Sequence, residues 1–165
     1  MILGRGGAGK SELAVAISRR TGLPVVHLDH VFWRPGWKPA PPEESARDMV
    51  AAVAGERWIL DGNFLGGEGG ERRFERADMV VFLDLPRRTC LWRVLRRLVR
   101  GHWRSRPDLP AGCSESLDLA FLRWIWRYPR HDRPSVLQLL AGLDAQVDVG
   151  RLRTCADVRR FMEAL

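Results

Sequence analysis

Gly4-Arg5-Gly6-Gly7-Ala8-Gly9-Lys10-Ser11 satisfies the pattern G-x-x-x-x-G-K-S and follows the apolar pair Ile2 and Leu3. The run it opens, Ser11 to Thr21, carries Leu13, Ala14 and Ile17 on one face and stops at Gly22 and Pro24. Strand, glycine loop and helix in that order predict a phosphate cradle. Backbone N–H groups curl around a β-phosphate, Lys10 reaches the β and γ oxygens, and the Ser11 hydroxyl takes a place on Mg²⁺. Gly4, Gly6 and Gly9 also spell G-x-G-x-x-G with Asp29 twenty positions later, the dinucleotide fingerprint. Lys10-Ser11 decides between the two, because the first turn of a dinucleotide-binding helix packs on its sheet and has no use for a Lys aimed at phosphate. The expected nucleotide-binding residues are Gly4, Gly6, Gly7, Ala8, Gly9, Lys10 and Ser11.

Outward from the loop, short apolar runs alternate with longer helical patterns. Strands are predicted at Met1–Leu3, Val25–Asp29, Arg57–Asp61, Met79–Leu85 and Gln146–Val149. Helices are predicted at Ser11–Thr21, Glu43–Ala54, from Pro86 onward, at Ser114–Tyr128 and Pro134–Ala141, and last behind a capping box of Thr154 and Asp157. In the helix after Pro86, Leu91, Val94, Leu95 and Leu98 are expected to face inward, and Arg93, Arg96, Arg97 and Arg100 outward. This alternation predicts an α/β domain with a largely parallel sheet. Without repeats or a dividing linker, residues 1–165 read as one domain, and with three residues ahead of the turn the first strand is short, as for a trimmed start.

The 165 residues are 45% hydrophobic and 28% charged, globular values that exclude collagen-like, low-complexity and largely disordered chains. No apolar run approaches the ~20 residues of a spanning helix, and Leu13–Ile17 is too short for a signal-peptide core, so a cytoplasmic location is expected. Cys90, Cys113 and Cys155 stand far apart with no metal-ligand or redox spacing. The net charge is +7, and of 27 basic residues only Lys10 and Lys38 are lysine. Arginine grips phosphate with a planar fork, so nucleotides, nucleic acid or a phosphorylated substrate are the expected partners, although arginine-for-lysine bias is also what a GC-rich genome produces.

Asn63, the single asparagine, is followed by Phe64, so the Asn-Lys-x-Asp guanine reader of a GTPase is absent. One short domain around a glycine loop suits a small nucleotide or metabolite kinase, which needs an acceptor pocket, an acidic group near the transferred phosphoryl and a basic lid. Asp29 and Asp61, each ending a strand beside the loop, are candidates either for an acceptor hydroxyl or for a Mg²⁺ water. Phe32, Trp33, Arg34, Trp37 and Lys38 fall in the acceptor segment, placed at about 30–55. The stretch from Arg87 to Arg106 leaves a helix for a loop and reads as a lid, placed at about 98–118. Arg123 and Arg127, four apart, share a face of the returning helix.

Taken together, Gly6–Ser11, Leu28-Asp29 with Trp33-Arg34-Pro35-Gly36-Trp37, Leu60-Asp61-Gly62-Asn63, Phe82-Leu83-Asp84-Leu85-Pro86 and Leu122-Arg123-Trp124-Ile125-Trp126 resemble the adenylate-kinase-related proteins labelled DNA topology modulation proteins. The resemblance runs over nearly the whole chain. It implies a three-layer P-loop NTPase fold, with a parallel five-stranded sheet in the order 2-3-1-4-5 and a short Arg-rich lid, and it implies MgATP binding with phosphoryl transfer. By the same likeness Asp61 takes the carboxylate position near Mg²⁺ with Ser11, Arg93 and Arg97 lie against adenine and phosphates, and Arg123 and Arg127 close over the transferred group. The Pro-Arg that grips AMP in adenylate kinases is replaced by Asn63-Phe64-Leu65, which puts AMP in doubt as acceptor. Asp29 is nearer to the strand-two Asp of shikimate and gluconate kinases, which holds a substrate hydroxyl. The expected catalytic residues are thus Lys10, Asp29, Asp61, Arg123 and Arg127, and the expected acceptor-binding residues Asp29, Trp33, Arg34, Trp37 and Asn63. ATP and Mg²⁺ are the expected cofactors. The alternative is an ATP-binding or ATP-hydrolysing regulator that holds nucleic acid, non-specifically, through its basic surface.

Overall fold

The structure, a computed structural model, describes residues 1–64, 72–99, 108–113 and 118–165. Most of the expected lid, including Arg100, Arg104 and Arg106, lies outside them, as does the expected helix start at Ser114. The elements run β1 (Ile2–Gly4), α1 (Lys10–Thr21), β2 (Val25–His27), α2 (Leu28–Phe32), β3 (Trp33–Arg34), β4 (Lys38–Pro39), α3 (Pro42–Ala52), β5 (Ile59–Asp61), α4 (Arg72–Glu75), β6 (Met79–Leu83), α5 (Arg87–Val99), α6 (Leu119–His131), α7 (Arg133–Ala141), β7 (Asp148–Leu152) and α8 (Cys155–Ala164).

Five strands form one parallel sheet in the order β2-β5-β1-β6-β7. The expected order, 2-3-1-4-5, numbered five strands. Only the numerals differ, because Trp33–Arg34 and Lys38–Pro39, a separate antiparallel hairpin, take the labels β3 and β4 between the second and third strands of the large sheet. Successive side chains of a strand point to opposite faces, and both faces are covered. Leu3, Leu60, Val80 and Phe82 pack with Met49, Tyr128 and Val136 on one side. Ile2, Ile59, Val81 and Leu83 pack with Leu13, Ile17, Cys90, Val94 and Ile125 on the other. The central strands therefore read as continuous apolar runs, as a doubly covered parallel sheet requires.

Three local expectations are corrected. The second strand ends at His27, and Leu28–Phe32 turns into a short helix, so Asp29 sits in a helical first turn instead of at a strand end. Leu95 is 45% exposed, because α5 points Cys90 and Val94 at the sheet. Arg93, Arg96 and Arg97 line a cleft and do not simply face solvent. At the far edge Asp84, past the end of β6, is held by Arg133 at 2.9 Å and Arg151 at 2.6 Å, tying α7 and β7 to the sheet. Burial would raise the Asp84 carboxyl, but the two guanidinium groups hold it below its ordinary value. The Thr154–Asp157 capping box opens α8 as expected.

Candidate active site

Parallel strands deliver their carboxyl ends to one edge of the sheet, and the loop after β1 sits at that edge. Within the loop Ala8 N–H donates to the Arg5 carbonyl at 3.2 Å, and Gly4 N–H donates to Asn63 Oδ1 at 2.8 Å, which ties the loop to the end of β5. Gly7 is required twice over: its φ is 77°, and a Cβ there would lie 2.5 Å from the Cys90 carbonyl oxygen of α5. Helix α1 starts behind Gly9 with no side-chain cap, so its first amides stay available to an anion. Arg93 donates to the Ala8 carbonyl at 3.0 Å and so braces the loop from α5.

Gly6, Gly7, Gly9, Lys10 and Ser11 form the floor of a cleft of about 1660 Å³. Pockets for one small ligand span ~300–1,000 Å³, so the cleft has room for a nucleotide and a second molecule. Arg93, Arg96 and Arg97 from α5 line it, as do His27, Asp29, Asp61, Trp33, Trp37, Asn63 and Phe64. His27 and Asp61 are register partners at the ends of β2 and β5, and His27 Nδ1 meets Asp61 Oδ2 at 2.8 Å. That hydrogen bond raises the imidazole pKa above its ordinary value, with burial opposing. The other Asp61 oxygen, Oδ1, is buried without a protein partner. Asp29 is raised above its ordinary value, chiefly by burial, while Lys10 pulls it down.

Among the described residues no group of three His, Cys, Asp or Glu could hold an ion. Ser11 Oγ and the orphaned Asp61 Oδ1 are hard oxygen donors. They fit Mg²⁺, which is ordinarily bound by one or two carboxylates plus substrate phosphates and seldom by an all-protein cage.

The cleft thus gathers Lys10, Ser11, Asp29, Asp61, Trp33, Trp37, Asn63, Arg93 and Arg97, but five expected site residues do not line it. Gly4 and Ala8 are buried within the loop, their N–H groups donated to Asn63 and Arg5. Arg34 turns away to Glu44 and Asp48, both at 3.1 Å, and to the Val31 carbonyl at 3.2 Å. Arg123 and Arg127 are on the exposed side of α6, because Trp124, Ile125 and Tyr128 take the face turned to the core. What α6 brings to the loop is aromatic: a Cβ on Gly6 would sit 2.5 Å from the Phe121 ring, and Phe121 stacks on Trp124 with centroids 5.8 Å apart. His27 was not among the expected residues. Its signal was the strand pairing itself, which sets it beside Asp61. Arg5, second in the glycine loop, is 3% exposed and lies over the Tyr128 ring at 5.0 Å.

No protein-family model matches the chain, so the DNA topology modulation resemblance gains no support there. A crystal structure of a "putative kinase" from Chloroflexus aurantiacus j-10-fl superposes with a TM-score of 0.53 at 12% identity, over 99% of this chain and 94% of that one. At that identity the likeness is one of fold. A sugar kinase from Janibacter sp. HTCC2649, unliganded, gives a TM-score of 0.49 at 15% identity over 99% of this chain and 88% of that one. No helix among the described residues is long and apolar enough to cross a membrane. The uncharacterized protein YqaC of Bacillus subtilis (strain 168) is 31% identical over 131 residues, covering 77% of this chain and 70% of its own length. The chain belongs to the family of YqaC.

Proposed function

We propose that the chain is an ATP-dependent phosphotransferase of the P-loop, adenylate-kinase-related kind, moving the γ-phosphoryl of MgATP to a small acceptor. The observation that carries this reading is the uncapped glycine loop with Lys10 and Ser11 on the floor of a cleft that also holds Asp29, Asp61 and His27. The kinase-like fold of the structural neighbour agrees with it.

Phosphoryl transfer depends on positioning and charge neutralisation, which is what these residues supply. Loop amides and Lys10 hold the phosphates, and Arg93 keeps the loop braced against α5. Mg²⁺, held by Ser11 and Asp61, would neutralise phosphate charge. Asp29, raised by burial, accepts the hydroxyl proton as the acceptor oxygen bonds to the γ-phosphorus and the bond to the bridging oxygen of ADP breaks. His27 fixes the Asp61 carboxylate through its 2.8 Å hydrogen bond. Arg34, Arg123 and Arg127 do not line the cleft, and the reading assigns them no role.

ADP formation from MgATP, screened against nucleosides, nucleoside monophosphates, sugars and hydroxy acids, tests the reading. One strong acceptor supports it, and Lys10→Ala should abolish the turnover. ATP binding with no acceptor-dependent ADP formation by the wild type would favour the regulator reading instead.

A further inference from the structure

The half of the cleft built by residues 27–37 and 61–64 has a character of its own. Its surface is aromatic: Trp33 meets Trp37 edge-on at 5.8 Å and Phe64 at 6.3 Å, and Phe64 stacks on Phe32 at 4.0 Å. Among the described residues, Trp37 and Phe64 are also the two non-glycine residues with positive φ, 58° and 28°. A bulky residue in that region is strained and persists where the surroundings over-determine it, which is common in ligand clamps. Two of the cleft's aromatic faces are therefore held in place at the expense of stability.

Two carboxylates face this side. Asp29 and Asp61 both line the cleft, Lys10 acts on Asp29, His27 holds Oδ2 of Asp61, and the buried Oδ1 of Asp61 has no protein partner. Of the nearby arginines, Arg34 is held by Glu44 and Asp48, and Arg73, fully buried and outside the cleft lining, donates through Nη2 to the Asn63 and Phe64 carbonyls while its Nε and Nη1 have no hydrogen-bond partner among the described residues. The arginines that do line the cleft, Arg19, Arg93, Arg96 and Arg97, belong to α1 and α5. Among the described residues, no arginine lines this side to grip a phosphate brought in by the acceptor, which would meet Asp29, the His27–Asp61 pair and aromatic faces.

We infer that the acceptor is an unphosphorylated ring compound, neutral or cationic, that lays its ring on Trp33, Trp37 and Phe64 and presents a hydroxyl to Asp29. This rests on the phosphotransferase reading. Aromatic faces accept sugar, base or ammonium groups, buried carboxylates accept their hydroxyl or ammonium hydrogens, and like charge repels an acceptor that already carries phosphate.

The test is titration calorimetry on the full chain with MgADP present, using matched pairs: adenosine against AMP, and glucosamine against glucosamine 6-phosphate. At least one unphosphorylated member should bind about tenfold or more tightly than its phosphate ester. Trp37→Gly, which relieves the positive φ, should stay folded by circular dichroism and bind that member at least fivefold more weakly. Equal or tighter binding of the phosphate esters overturns the inference, as does failure of every member to bind while MgATP still binds in a Lys10-dependent way. Absence of MgATP binding itself would overturn the phosphotransferase reading and the inference with it.

Discussion

Replacing Gly7 by Ala asks whether the glycine loop is shaped by α5. Two penalties apply. A residue with a Cβ at φ 77° costs about 1–2 kcal/mol in the left-handed region. The new Cβ would also lie 2.5 Å from the Cys90 carbonyl oxygen and 2.8 Å from Val94 Cγ2. Cys90 belongs to a helix backbone that cannot step aside cheaply, and such overpacking typically costs a further ~1–3 kcal/mol. Gly22 supplies the control, with φ 72° and nothing within 4 Å of a Cβ. Gly22→Ala carries the backbone cost alone, and the entropy that alanine removes from the unfolded chain is common to both variants. Urea unfolding should therefore place Gly7→Ala about 1–3 kcal/mol below Gly22→Ala, or else the loop withdraws from α5 and MgATP binding weakens in Gly7→Ala alone. Equal stability and equal MgATP affinity in the two variants would refute the packing argument.

Asp29→Asn should lower turnover on an identified acceptor by roughly 10²–10⁴ while ATP affinity stays close to wild type, and a parallel loss of ATP affinity would show that Asp29 serves the nucleotide. The His27 pKa is raised in the folded state, so His27 contributes stability that is present below its unfolded value of 6.5 and is lost as pH rises through the folded value. Asp61→Asn should lower the His27 NMR titration midpoint and open a stability gap from wild type that narrows as pH rises, and an unmoved midpoint would exclude the pair. Thr154→Ala should cost about 1 kcal/mol in urea unfolding through loss of the cap on α8, and no loss would mean that the cap does not hold the helix. DNA affinity, measured by fluorescence anisotropy, should be non-specific and fall steeply between ~50 and ~200 mM salt, whereas a sequence-selective complex that survives the higher salt would support the regulator reading.

The sheet was legible because its determinants are local. Ile2-Leu3 and Val80 to Leu83 are apolar on both faces, and each following helix carries its own start and stop, such as Gly22 after α1 and the Thr154–Asp157 box before α8. The turn from β1 into α1 was legible for the same reason. Short elements were not: the five residues of α2 are too few to show a helical period, so Asp29 read as a strand end. Partnerships across the chain were hidden in another way. His27 acquires meaning from Asp61, 34 residues later, and only the parallel register β2–β5 makes them neighbours. Arg34 looked like an acceptor ligand beside two tryptophans, but Glu44 and Asp48, four apart on α3, claim its guanidinium. Arg123 and Arg127 do share a face, and it is the face that α6 turns to solvent.

On the phosphotransferase reading, the loop from Gly4 to Ser11 binds the phosphates of MgATP through its backbone amides and Lys10. MgATP titration of the wild type and Lys10→Ala, followed by thermal unfolding and calorimetry, tests it most directly. A ligand that binds only the folded state at a hundred times its Kd stabilises by ~2.7 kcal/mol, so the wild type should show a saturable upward shift in Tm that Lys10→Ala lacks. No shift in the wild type, or the same shift and affinity in both proteins, would contradict the assignment of the loop.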